Sequence, residues 1–135
     1  MEPAPDPARS TAAFLTIAFF GLSGVLEIVL TFADAPRPEF GAHWEALGRA
    51  LPHGLLAAGL WRRFALCRTL AFIYCLAALL THVVVLALAL GGAPFRFPPS
   101  LVVQSLVQVP SCAVLIPWLR SPAAARAFPR PLVGR

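Results

Sequence analysis

Five polar residues stand in strongly apolar surroundings and carry the chemistry this sequence can offer: Glu27, His53, His82, Gln104 and Gln108. Glu27 lies in "GLSGVLEIVLTF", residues 21–32, with no basic residue beside it. One carboxyl, two imidazoles and two carboxamides suit only a few kinds of site. They can exchange a proton, hydrogen-bond a small solute, or bind a cation. Two histidines on different segments can also hold a haem b iron if both rings aim at one metal. A His–His–Glu set has ligand types that zinc accepts. Neither metal reading has a local spacing signature, because the three residues are far apart in the chain. The plainer alternative is helix-to-helix hydrogen bonding. It is preferred here, so no cofactor is expected, and neither haem nor a metal is assigned to His53 and His82. The five residues form a candidate binding cluster, with no catalytic residue among them. No nucleophile elbow, P-loop, HExxH or glycine-rich nucleotide motif occurs, so an enzyme is the least favoured class.

Composition fixes the solvent in which these residues work. Hydrophobic residues make up 59% of the 135 and charged residues 13%. Soluble domains have roughly half and a quarter. So short a chain has too little interior to absorb that excess, and a lipid bilayer is its natural partner. The net charge is +5, with every basic residue an arginine. These arginines flank apolar runs and form no basic face, which argues against nucleic acid and for topology signals. Lysine is absent while Ala, Pro and Arg abound, a composition expected of a GC-rich bacterial genome. Cys67, Cys75 and Cys112 include no CxxC pair and read as packing residues.

The fold predicted is all-α, a polytopic transmembrane four-helix bundle with short loops. Residues 1–10 read as a disordered, Pro-rich tail. The bundle occupies 11–120, with helices at 11–33, 46–61, 66–90 and 101–119. Residues 121–135 read as a basic, Pro-rich tail. A spanning helix needs about 20 apolar residues. The first, third and fourth segments meet that length. The second has an apolar core of only Ala50 to Trp61, interrupted by Pro52, so a re-entrant segment is its alternative. Pro110 is expected to kink the last helix.

Arginine placement orients the helices. With four spans, Arg9, Arg62, Arg63, Arg68, Arg120, Arg126, Arg130 and Arg135 share one side, and Arg37, Arg49 and Arg96 the other. Eight against three places both termini in the cytoplasm of a bacterial inner membrane. If the second segment does not cross, the split is nine against two with the N-terminus outside. Trp61 before Arg62 and Arg63 suits an interface anchor, with Trp44 at the opposite interface. Arg62, Arg63, Arg120, Arg126 and Arg130 are the candidates for contact with anionic lipid.

Each segment carries one polar stripe at helical spacing. The first has Thr16, Ser23, Glu27 and Thr31. The second has Glu45, Arg49 and His53. The third has Cys67, Ala71, Cys75, Ala78 and His82, with Tyr74 one step round. The fourth has Gln104, Gln108 and Ser111. Such stripes permit close approach and hydrogen bonds between membrane helices. Glu27 is expected to face inward, toward His82 or His53 and a glutamine. An intramembrane carboxyl marks a function or a partner.

"FFGLSGVLEIV" in the first segment, and a mid-span proline running into "LRSPAAARAF" in the last, resemble small bacterial four-helix membrane proteins. The first piece is similar to DoxX-type proteins, although the basic residue usual soon after Ser-Gly in that pattern is replaced here by Glu27. The resemblance implies four spans and no residue role. The function expected is a non-catalytic subunit or packing partner of a membrane complex or homo-oligomer. The alternative is a small binding or transport module for a proton, lipid-like molecule or small solute.

Reporters fused to the two ends test the orientation. Both should report the cytoplasm; an external N-terminus defeats four spans and favours a re-entrant second segment.

Overall fold

The computed structural model describes residues 11–34, 40–92, 97–129 and 131. Among them every regular element is helical: α1 (Thr11–Asp34), α2 (Phe40–Trp61), α3 (Ala65–Leu90), α4 (Pro99–Arg120) and α5 (Pro122–Ala127). Helices α1, α3 and α4 are each long and apolar enough to cross a bilayer. The chain is an α-helical membrane protein.

Helix α2 starts at Phe40, earlier than the expected Ala46. The stretch between Pro38 and Pro52 has no proline and, despite Gly41 and Gly48, several good helix formers, and propensity rather than hydropathy sets a helix start. Its 22 residues give a length of about 33 Å at 1.5 Å per residue. Pro52 does not interrupt it, and neither Pro110 nor Pro117 interrupts α4. All three rings are on the exposed surface, where no neighbouring helix resists them. The segment expected to be only a tail contains α5. Ser121 caps it, its Oγ accepting from the Ala124 N–H at 3.2 Å, and Pro122 opens its first turn. Residues 1–10 and Arg130 lie outside the described residues.

The buried positions repeat with one period. They include Ala13, Thr16, Phe20, Ser23 and Glu27 on α1; Ala46, Ala50, His53, Leu56 and Leu60 on α2; Ala71, Cys75, Ala78, His82 and Val85 on α3; and Ser105, Gln108, Cys112 and Leu119 on α4. The alternating steps of three and four average about 3.5 residues, the spacing of a left-handed coiled-coil seam. Outward faces are apolar: Leu22, Leu55, Leu80 and Val114 are all more than half exposed. Buried polar residues share the interior with an apolar core of Phe20, Leu56, Leu60 and small residues, while the outward faces are aliphatic.

The bundle is built from two antiparallel hairpins. Helix α1 packs chiefly on α2, and α3 chiefly on α4. Gly24 lets α1 and α2 approach: a Cβ there would lie 3.2 Å from the His53 Cβ and 3.4 Å from the Ala50 carbonyl oxygen. Gly59 does the same between α2 and α3, where a Cβ would lie 3.0 Å from the Cys67 Cβ and collide with its sulfur.

The turn joining α2 to α3 has a defined hydrogen-bond pattern. The Phe64 N–H reaches the Gly59 carbonyl at 3.0 Å, and the Arg63 N–H reaches the Leu60 carbonyl at 2.9 Å. That pair is a Schellman motif with Arg63 at the left-handed position, φ 64°. Glycine usually stands there, because the conformation costs an L-residue roughly 1–2 kcal/mol.

Overpacking tests the α2–α3 contact. Gly59→Val should destabilise the protein by about 1–3 kcal/mol in detergent-driven unfolding, and adding Cys67→Ala should recover part of the loss. An unchanged unfolding curve for Gly59→Val would show that this contact is loose.

Candidate functional site: a polar core shared by four helices

The heptad-like seam turns one polar face of each long helix toward the others. Glu27, His53, His82, Gln104 and Gln108 are all buried, together with Thr16, Ser23 and Ser105. Their partners differ from the simplest expectation. The Gln104 Nε2 donates to the Glu27 Oε1, tying α4 to α1. One turn away the Gln108 Nε2 donates to the Ser23 Oγ at 3.5 Å, and its Oε1 accepts from the Cys112 thiol at 3.7 Å. Glu27 therefore faces inward, with a glutamine rather than a histidine as its hydrogen-bond partner. His82 is buried in the same interior.

The two histidines are held separately. His53 Nδ1 lies 3.0 Å from the Arg49 carbonyl oxygen. A carbonyl only accepts, so Nδ1 carries the proton. Nε2 then accepts, in the neutral ring, from the Tyr74 hydroxyl at 2.6 Å. The rings of His53 and Tyr74 also meet edge to face, 4.9 Å between centroids, and Phe20 meets Tyr74 at 5.6 Å. These contacts join α1, α2 and α3 in one layer.

His82 bonds within the other hairpin. Ser105 gives its single hydroxyl proton to the Leu101 carbonyl at 2.7 Å. It must therefore accept from His82 Nδ1, 2.8 Å away. In the neutral ring His82 Nε2 thus keeps its lone pair. Among the described residues no fully buried side-chain nitrogen or oxygen lacks a hydrogen-bond partner.

Several stripe members fall outside this core. Thr31 is half-buried and bonds back to the Glu27 carbonyl at 2.7 Å, and Ser111 bonds back to Val107 at 2.8 Å. The side chains of His43 and Glu45 lie outside the described residues, and Trp44 is exposed. Cys75 and Cys112 are fully buried free thiols in the apolar part of the core. Ser105 is the member that the stripes missed. It stands beside Gln104, three residues before Gln108 and seven before Cys112, and that spacing carried the signal. As for metal binding, His53 has both ring nitrogens engaged with α2 and α3, while His82 is directed to α4. No group of three His, Cys, Asp or Glu side chains converges among the described residues.

The candidate anionic-lipid residues gather at one end of the bundle. Arg62 and Arg63 lie in the α2–α3 turn, Arg120 ends α4 and Arg126 is on α5. Arg62, Arg120 and Arg126 are exposed and Arg63 is half-buried. The Arg120 guanidinium stands over the Phe72 ring, 5.9 Å from its centroid.

These features define a helical membrane protein whose core is a network of polar side chains drawn from all four long helices. No protein-family model, curated protein or solved structure matches the chain.

The His53–Tyr74 bond is the network's link between hairpins on the α2 side. Tyr74→Phe should lower stability by about 1 kcal/mol, within the range for interhelical hydrogen bonds in membranes. In a His53→Ala background the same change should cost nothing further, as a double-mutant cycle of unfolding free energies would reveal.

Proposed function

We propose that this chain is a non-catalytic integral membrane subunit that packs against a larger membrane complex or against copies of itself. One observation carries the proposal: among the described residues every fully buried side-chain nitrogen and oxygen has a hydrogen-bond partner, whereas the outer faces of the long helices are largely aliphatic. The polar core supplies internal cohesion. What remains to be offered to a partner is the outside.

In this proposal α2 crosses the bilayer beside α1; its 22 residues are long enough to do so, and the exposed Arg49 near its middle extends its charged head toward the interface or a partner. Among the described residues Arg62, Arg63, Arg68, Arg120 and Arg126 lie at one end, with Arg49 near the middle of α2. That asymmetry supports a bacterial inner membrane with this end in the cytoplasm. The likeness of the first helix to DoxX-type proteins fits the four-span outline.

A second reading has its own support. Glu27 and His82 face one interior from different hairpins, and the neutral His82 ring has a lone pair on Nε2 that no described side chain takes up. A proton or small polar solute would find a carboxyl and an imidazole there. Intramembrane ionisable groups commonly serve such a role.

Substitutions at Glu27 separate the two. As structural glue, Glu27→Gln should fold and assemble as the parent does, and Glu27→Leu should cost about 1 kcal/mol. Gentle purification should then yield a stoichiometric partner or a defined homo-oligomer with either the parent or Glu27→Gln. A monomer without a partner, combined with loss of proton or solute binding in well-folded Glu27→Gln, would overturn the subunit proposal in favour of the second reading.

A further inference from the structure

Cys75 on α3 and Cys112 on α4 are both fully buried free thiols, and the hairpin sets them opposite each other. The register follows from a bond already described. His82 Nδ1 lies 2.8 Å from the Ser105 Oγ across the antiparallel α3–α4 pair. Cys75 is seven residues back along α3 from His82, and Cys112 is seven residues onward along α4 from Ser105. Seven residues are two turns of a seam that repeats about every 3.5 residues, so the same face-to-face pairing recurs there. The two side chains are in hydrogen-bond contact. The Cys112 thiol also donates to the Gln108 Oε1 at 3.7 Å, which fixes the direction of its sulfur. Cys67 stands two turns further along α3, against Gly59 of α2, and is not part of the pair.

We infer that Cys75 and Cys112 form a binding site for a soft, two-coordinate divalent cation, the mercuric ion, held between their two sulfurs. Ligand type, ligand number and charge each narrow the choice. Thiolates are soft ligands and favour soft metals. Two ligands are available: no group of three His, Cys, Asp or Glu side chains converges among the described residues, whereas structural zinc takes four. A linear pair of sulfurs suits the mercuric and cuprous ions. Charge separates those two. Two thiolates and a divalent ion are neutral together, while two thiolates and a cuprous ion retain one negative charge, which is costly within a bilayer.

Binding transfers no electrons. Starting from mercuric chloride, two sulfur–mercury bonds form and two mercury–chlorine bonds break, and two thiol protons and two chlorides leave to solvent. Mercuric chloride is itself neutral and dissolves in lipid, so it reaches a buried pair without an aqueous channel. The bound ion would tie α3 to α4 within one chain. The site belongs to a single hairpin and does not depend on the subunit proposal.

The test uses the full-length protein carrying Cys67→Ala, in neutral detergent under argon, titrated with mercuric chloride. One mercury per chain should survive gel filtration in glutathione without a change in oligomeric size. X-ray absorption at the mercury edge should show two sulfur neighbours, and the thermal unfolding midpoint should rise. Cys75→Ala and Cys112→Ala on that background each leave one thiol of the pair. Each should lose its mercury at a glutathione concentration lower by on the order of a hundredfold, because two linked ligands hold one ion far more tightly than either alone. Neither should gain thermal stability from the ion. Should an alanine variant fail to fold, the serine variant at the same position should show the same losses. Equal retention by the single-thiol variants would overturn the pairing of the two sulfurs. One mercury joining two chains would overturn the site within the hairpin. A rise in midpoint with cuprous ion as large as that with mercuric ion would overturn selection by charge.

Discussion

The hydrogen bond between Gln104 and Glu27 is the contact on which the arrangement of the two hairpins depends. Each hairpin is held by close packing of small residues and interlocking side chains, and α1 has little other contact with α4. Apolar side chains give no such cohesion within lipid, because the lipid tails are as apolar as they are. A carboxyl and a carboxamide, by contrast, gain from each other what lipid cannot supply at that depth. Gln108 with Ser23 repeats the tie one turn away, and His53 with Tyr74 closes the other side. The hairpins are thus registered by polar pairs at a few points, where a soluble bundle would use a continuous apolar seam.

Much of this was legible in the residues. The stripe Cys67, Ala71, Cys75, Ala78, His82 on α3 is nearly the set the structure buries, because small and polar residues have no reason to face lipid. The inward direction of Glu27 followed from Thr16 and Ser23 on its own face. The identity of its partner did not. Several acceptors and donors stood at similar depth, and the choice of Gln104 over His82 depends on how the hairpins are rotated against each other, which no single-helix pattern contains. Ser105 was passed over because a serine beside a glutamine looks like part of the same polar edge, although its spacing to Gln108 and Cys112 placed it on the seam. The start of α2 was missed because hydropathy, rather than helix propensity, was used to find it. Helix α5 was missed because its prolines suggested irregular chain, when Pro122 in fact opens the helix after a serine cap.

The basic end and the polar core divide the molecule's tasks by depth. In the core, charge is scarce and, among the described residues, the fully buried polar atoms are matched. At the end, arginines are gathered, one of them in a backbone conformation that glycine would occupy more easily. The first arrangement favours a single fixed packing. The second leaves a net field that extends to the surrounding lipid and solvent. A substitution in one region should have little bearing on the other, since separated sites without shared partners usually contribute additively.

The hydroxyl groups bear on how such a protein is made. Thr16, Thr31, Thr81, Ser105 and Ser111 each donate to a carbonyl four residues earlier in the same helix. They carry their own partner into the bilayer and can enter as soon as their helix forms. Glu27 cannot, because its partner lies 77 residues downstream. At a synthesis rate of about 5–20 residues per second, that interval is on the order of 4–15 s. For those seconds α1 holds a carboxyl that only a later helix can satisfy. The order of synthesis thus separates the carboxyl from its final partner by most of the chain.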